Sequence, residues 1–254
     1  MASIADAFND SMNDNLCLLK WSFYALPVFL SVSCYMNSKM VSFWFWAILS
    51  FILLISLLSY GIHNINSNKH EILTFNILTL VYIALKLFLA LFLHVLLLFI
   101  VGFLVITFVK VPDDIPNSPL IFKCVVWYFL FSIAFTSFLA FSKKLDVVKA
   151  YDLRIIYDSS MDILMSLLFF IPQIVIADAI LVGFVWYLFF VFKISLNNPI
   201  FIYYCSVIAI LNISVMASYF AQIAYETIKS EDSEYNDNYL IKGDGRNYDK
   251  NKKN

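Results

Sequence analysis

Three titratable side chains within long apolar stretches are the residues of this chain that could carry chemistry. Asp178 stands between Ala177 and Ala179, with apolar residues on both sides, and His94 and Lys86 interrupt another apolar run. Charged groups in hydrocarbon are costly, so residues of this kind mark candidate functional sites. Asp178 and His94 are expected at a similar depth, where a His–Asp pair would relay a proton or bind a cation. A substrate-binding role is the functional interpretation of Lys86.

A structural role is the alternative for each of these residues. Asp178 would then lie at a break in its helix, near a surface or a hydrated crevice. His94 would donate to a carbonyl of a neighbouring helix. The ammonium group of Lys86 would extend along its apolar stem to the membrane surface.

The sequence offers no motif for another chemistry. HExxH, GxSxG and any nucleophile–base arrangement are missing, and the four cysteines show no CxxC spacing. His63, His70 and Glu71 share one polar loop, where solvated side chains are a better interpretation than a metal site. We therefore predict no catalytic, metal-ligating or cofactor-binding residues, no cofactor, and a protein that is not an enzyme.

The composition indicates that lipid surrounds much of the chain. Of its 254 residues 62% are hydrophobic and 14% charged, whereas soluble domains have roughly 25% charged residues. About 20 apolar residues suffice for one helical crossing. Six stretches meet that length and predict an all-α, polytopic transmembrane bundle, with spans at about 21–38, 40–62, 87–109, 121–142, 163–192 and 199–225.

Amphipathic segments between the spans predict interfacial helices. In 1–15, Ile4, Phe8, Met12 and Leu16 recur at every fourth position among polar residues. We expect two further surface helices, at 71–86, ending at Lys86, and at 143–160. The fifth apolar run is too long for one straight crossing, and a bend is expected at Pro172.

Charge distribution predicts the orientation. Residues 1–225 form the transmembrane domain, and the polar segment 226–254 is expected to be a disordered tail. Twelve of the 17 lysines and arginines fall on the side of the two termini, four on the other side, and Lys86 on neither. The excess predicts that both termini are cytoplasmic.

Three segments carry a resemblance to known families. They are Ser59-Tyr60-Gly61, Glu71 to Asn76, and Val148 to Ile156. In these letters and in its layout the chain resembles prokaryotic six-helix integral membrane families of unknown function, which are loosely similar to Yip-like proteins. The resemblance implies a multi-pass protein of the plasma membrane and transfers no catalytic residue.

The expected function follows from these features. A net charge of −1 gives no reason to expect nucleic acid as a partner. We expect a non-enzymatic membrane-organising or partner-binding protein, whose partners are the lipid bilayer and either another membrane protein or a second copy of itself. A small transporter or channel that uses Asp178 and His94 is the alternative.

Overall fold

The computed structural model describes residues 3–67, 69, 71–109, 118–195 and 198–228. In these residues the chain forms seven α-helices and a short 3-10 helix, without strands. The helices are α1 (Ile4–Asn13), α2 (Cys17–Met36), α3 (Met40–Asn66), α4 (Ile77–Phe108), α5 (Ser118–Lys144), α6 (Leu153–Val191) and α7 (Pro199–Thr227), with the 3-10 helix at Val148–Tyr151. Helices α2 to α7 are long and apolar enough to cross a membrane. The predicted all-α, six-span, multi-pass architecture is confirmed.

Short polar side chains define where several helices begin. Ser3 and Asn76 accept hydrogen bonds from the backbone N–H groups three residues later, and Asp152 accepts from two N–H groups of the first turn of α6. Asn198 caps α7, whose first residue is Pro199. Each cap satisfies a donor that the first turn of a helix leaves unpaired.

Helices α2 to α7 alternate in direction, so the bundle has two distinct ends. At the end where α1 lies, here called the α1 end, α2, α4 and α6 begin and α3, α5 and α7 finish. Helix α7 packs against α1, α2, α3, α5 and α6. The largest fully buried side chains concentrate toward the α1 end, among them Leu57, Ile62, Ile72, Leu73, Phe141, Ile163 and Phe220.

Helices α4 and α6 differ from the sequence prediction. Helix α4 runs without interruption from Ile77 to Phe108, so Lys86 does not end a separate surface helix. The ammonium group of Lys86 lies 3.4 Å from the carbonyl oxygen of Leu145 and 4.6 Å from the ring centroid of Tyr82. These acceptors compensate the charge, which removes the reason for the helix to stop there.

The segment 143–160 is not one surface helix either. It is divided among the end of α5, the 3-10 helix at Val148–Tyr151 and the start of α6. Helix α6 then continues through Pro172 to Val191, 39 residues in all. The predicted disordered tail overlaps the end of α7 at 226–227, and from residue 229 onward it lies outside the described residues.

Candidate functional site

Asp14 and Lys20 form a buried ion pair at the α1 end of the bundle. The Lys20 Nζ atom lies 2.9 Å from Asp14 Oδ1, and the two side chains are only 4% and 2% exposed. The second carboxylate oxygen of Asp14 accepts a hydrogen bond of 3.0 Å from the backbone N–H of Leu73. The pair thus joins the α1–α2 turn, the start of α2 and the α3–α4 connection.

Glu71 extends this ion pair toward the surface. Its Oε1 atom lies 3.5 Å from Lys20 Nζ, and its Oε2 atom accepts a hydrogen bond of 3.1 Å from the Tyr60 hydroxyl. The backbone carbonyl of Glu71 accepts a 2.9 Å bond from Asn64 Nδ2. Two carboxylates around one ammonium leave a formal charge of −1, and the Glu71 side chain remains 46% exposed.

Local turns place these groups. Leu16 has a left-handed backbone, with φ of 57°, which separates α1 from α2 in the turn that holds Asp14 next to Lys20. In the α3–α4 connection the Thr74 carbonyl accepts a hydrogen bond from the buried Tyr24 hydroxyl. A cleft of about 510 Å³ opens beside the ion pair and is lined by Asn13, Asp14, Asn15, Leu16, Lys20, Glu71 and Phe75.

Sequence reasoning did not identify this site. Asp14 and Lys20 are six positions apart, which is not a pairing distance on one helix, and Glu71 is 51 positions beyond Lys20. One signal was available: the resemblance rests on Tyr60 and on the segment that begins at Glu71, and the structure joins these two residues by a hydrogen bond.

Helix α1 packs along α7 through the face of α1 that carries small and polar residues. Ala7 and Ser11 are fully buried there. Ser218 donates a 2.8 Å hydrogen bond to Asp10, and Gln222 Oε1 accepts a 3.0 Å bond from the backbone N–H of Ser3. Three of the four residues of the predicted apolar stripe, Phe8, Met12 and Leu16, are 38%, 45% and 57% exposed, whereas Ile4 packs against the buried core.

Asp178 has one clear partner, on α7. Asn212 Nδ2 lies 2.9 Å from Asp178 Oδ1 and 2.8 Å from Oδ2, and both side chains are half-buried. Helix α6 is continuous through this position, so the expected helix break at Asp178 is wrong. An amide that donates to a carboxylate stabilises it within an apolar surrounding.

His94 belongs to a different contact. Its Nδ1 atom lies 3.3 Å from the carbonyl oxygen of Ala90, one turn earlier in its own helix, rather than near a carbonyl of a neighbouring helix. The His94 ring stacks on Tyr151 at 4.6 Å, and the Tyr151 hydroxyl donates to the Leu89 carbonyl. Within the part of the chain that the structure describes, no hydrogen bond joins His94 to Asp178. Lys86 and His94 instead attach the α5–α6 connection to α4.

The described residues contain no cluster suited to a metal ion. No set of three or more His, Cys, Asp or Glu side chains there is arranged to hold a metal ion. His63 Nδ1 lies 3.2 Å from the carbonyl oxygen of Lys143, Glu71 contacts Lys20 and Tyr60, and His70 lies outside the described residues.

Comparisons with protein-family models, with curated proteins and with solved structures gave no match. The fold and the sites described above define a multi-pass helical membrane protein with a buried Asp14–Lys20 ion pair that Glu71 extends toward the surface.

Proposed function

We propose that this protein is a non-enzymatic integral membrane protein that organises the lipid or a membrane partner around it. The supporting observation is the position of α1. This helix is held against α7 by hydrogen bonds and lies beside a buried ion pair, while its Phe8 and Met12 side chains remain exposed. A helix with these properties lies in the membrane interface with its apolar side in lipid.

A second apolar group of side chains supports this role. Val148, Leu153 and Tyr157, also at the α1 end, are 74%, 76% and 83% exposed. Together with Phe8 and Met12 they give that end of the bundle two apolar ridges. Side chains that enter only one leaflet expand it relative to the other, so the protein would favour curved or thinned lipid around it.

In the proposed orientation the protein lies in the plasma membrane and its α1 end faces the cytoplasm. Lys143, Lys144, Lys149 and Arg154 all lie at that end, near the finish of α5 and the start of α6. Basic residues next to the membrane remain on the cytoplasmic side during insertion. Both termini would then be cytoplasmic.

The first test changes the apolar stripe of α1 without touching its buried face. Phe8→Glu combined with Met12→Glu is expected to abolish most of the protein's effect on vesicle diameter, because two carboxylates cannot enter the apolar part of the interface. The full-length protein would be reconstituted into liposomes and vesicle diameters measured by electron cryomicroscopy. Asn9→Glu, which adds a carboxylate at an exposed polar position of the same helix, is the control and should retain the wild-type effect. Wild-type vesicles identical to protein-free vesicles would contradict the proposal.

A small transporter or channel is the second candidate function, because Asp178 is a half-buried carboxylate that faces Asn212 at the middle of α7. Under this function, Asp178→Asn should reduce proton or monovalent-cation flux into proteoliposomes to the protein-free level. Asp162→Asn, which alters an exposed acidic residue of the same helix, should leave the flux unchanged. Wild-type flux no greater than that of empty liposomes would exclude this candidate.

A further inference from the structure

One face of α6 is an exposed apolar stripe with a single polar side chain near its middle. The residues of this α6 stripe follow one another at intervals of four, three, four and four positions, so they share one side of the helix. Its four apolar members are 61% to 67% exposed, and Gln173 is exposed as well. The α6 stripe consists of Phe169, Gln173, Ile176, Ile180 and Phe184.

Aromatic residues on α6 indicate how deep this stripe lies. Tyr157 and Trp186 are 83% and 46% exposed and occupy the two ends of the helix. Their 29-position separation corresponds to about 44 Å along a helix, which matches a bilayer with its headgroup regions. Exposed aromatic rings favour the two interfaces. Gln173 therefore lies within about two residues of the bilayer centre.

Gln173 has no hydrogen-bond partner in the described part of the chain, unlike the polar residues that face neighbouring helices. Asn212 donates to Asp178, and Gln222 accepts from the N–H of Ser3. A primary amide exposed to hydrocarbon leaves both its donors and its acceptor unsatisfied, which costs several kcal/mol. Its position predicts that another transmembrane helix covers it.

We propose that the α6 stripe is the contact surface for a second copy of this chain, with two α6 helices packed in parallel about a two-fold axis along the membrane normal. Copies of one protein insert in the same orientation, so Gln173 meets the partner's Gln173 at the same depth. The carboxamide is both donor and acceptor, and two of them across the axis satisfy each other.

The spacing of the α6 stripe fits this geometry. The intervals of four, three, four and four positions keep the five side chains within about 80° of one another around the helix, so one partner helix can contact all of them. A polar residue at one such position fixes the register and the number of helices, because any shift would separate the two amides. The inference concerns assembly and does not depend on the proposed effect on lipid.

Cysteine cross-linking tests which face of α6 meets the second copy. In the full-length protein with its four native cysteines replaced by serine, Ile176→Cys and Ile180→Cys should form disulfide-linked dimers in liposomes under mild oxidation. Ile171→Cys and Val175→Cys are matched controls, because these residues are also exposed but lie on the opposite side of the helix. Dimers that form at 171 and 175 instead of 176 and 180 would overturn the proposal.

A second measurement tests the role of the amide. The affinity of the dimer would be measured by Förster transfer between labelled copies in liposomes. Gln173→Leu should weaken this affinity about tenfold, and Gln173→Asn, which retains a carboxamide, should weaken it less. Val175→Leu should match the wild type. Both substitutions of Gln173 leave the buried face of α6 intact. The proposal would be overturned if the wild-type protein stayed monomeric as the lipid-to-protein ratio was lowered, or if Gln173→Leu left the dimer affinity unchanged.

Discussion

Replacing Lys20 with methionine is expected to destabilise the protein by about 3–5 kcal/mol, because the variant leaves the Asp14 carboxylate buried without its cation. Asp14 is 2% exposed, so water cannot replace the lost partner. Glu71, 3.5 Å from Lys20 in the native protein, would also lose its ammonium neighbour. Among the described residues, the Leu73 N–H is the hydrogen-bond donor that would remain to stabilise the Asp14 charge.

The measurement is the unfolding of the full-length protein in bicelles, followed by circular dichroism over a titration with sodium dodecyl sulfate. Lys39→Met, at an exposed lysine, should change the free energy of unfolding by less than about 0.5 kcal/mol. Combining Lys20→Met with Asp14→Asn should recover part of the loss, since no unpaired Asp14 charge then remains. A double variant as unstable as the sum of the two single variants would show that the residues act independently.

Replacing Gly61 with alanine is expected to cost about 1–3 kcal/mol through overpacking. A methyl group at this position would lie 2.7 Å from the Ala217 Cβ atom and 3.0 Å from the Ile72 carbonyl oxygen. One neighbouring atom is a Cβ and the other a backbone oxygen, so neither can move without its backbone, and α3 would have to move away from α7 and from Ile72. The α3–α7 contact is part of the packed α1 end, and the loss should appear in the cooperative unfolding of the bundle.

Two other glycines provide matched controls in the same unfolding experiment. Nothing lies within 4 Å of a methyl group placed on Gly183, so Gly183→Ala should be neutral or stabilise the helix by up to about 1 kcal/mol. At Gly102 the nearest atom is the end of the flexible Leu130 side chain, and an intermediate loss is expected. Adding Ala217→Gly to Gly61→Ala should recover part of the loss, because it removes the contact with the Ala217 methyl group and leaves the one with the Ile72 carbonyl. Equal losses at Gly61 and Gly183 would contradict the role of close helix approach.

The sequence determined the class of protein and the number of helices long and apolar enough to cross a membrane. A long apolar run is more stable in lipid than in water, and its length and hydropathy can be calculated from that segment alone. The span predicted at 40–62 is found within Met40–Asn66, and that at 199–225 within Pro199–Thr227. The predicted end of a helix at Lys86 is wrong. The ammonium group of Lys86 donates to the carbonyl of Leu145, which lies 59 residues away, so the local sequence contained no sign of this contact.

Only the tertiary structure decided which side chains meet. Asp178 and His94 looked equivalent as isolated charges in apolar runs, yet Asp178 pairs with Asn212 and His94 stacks on Tyr151. The face of α1 that packs on α7 is the small one at Ala7 and Ser11, although hydropathy singled out the large apolar stripe. In lipid an apolar side chain loses nothing by staying exposed, so close packing and hydrogen bonding select the buried face. Those interactions depend on residues far apart in the chain, which no single segment specifies.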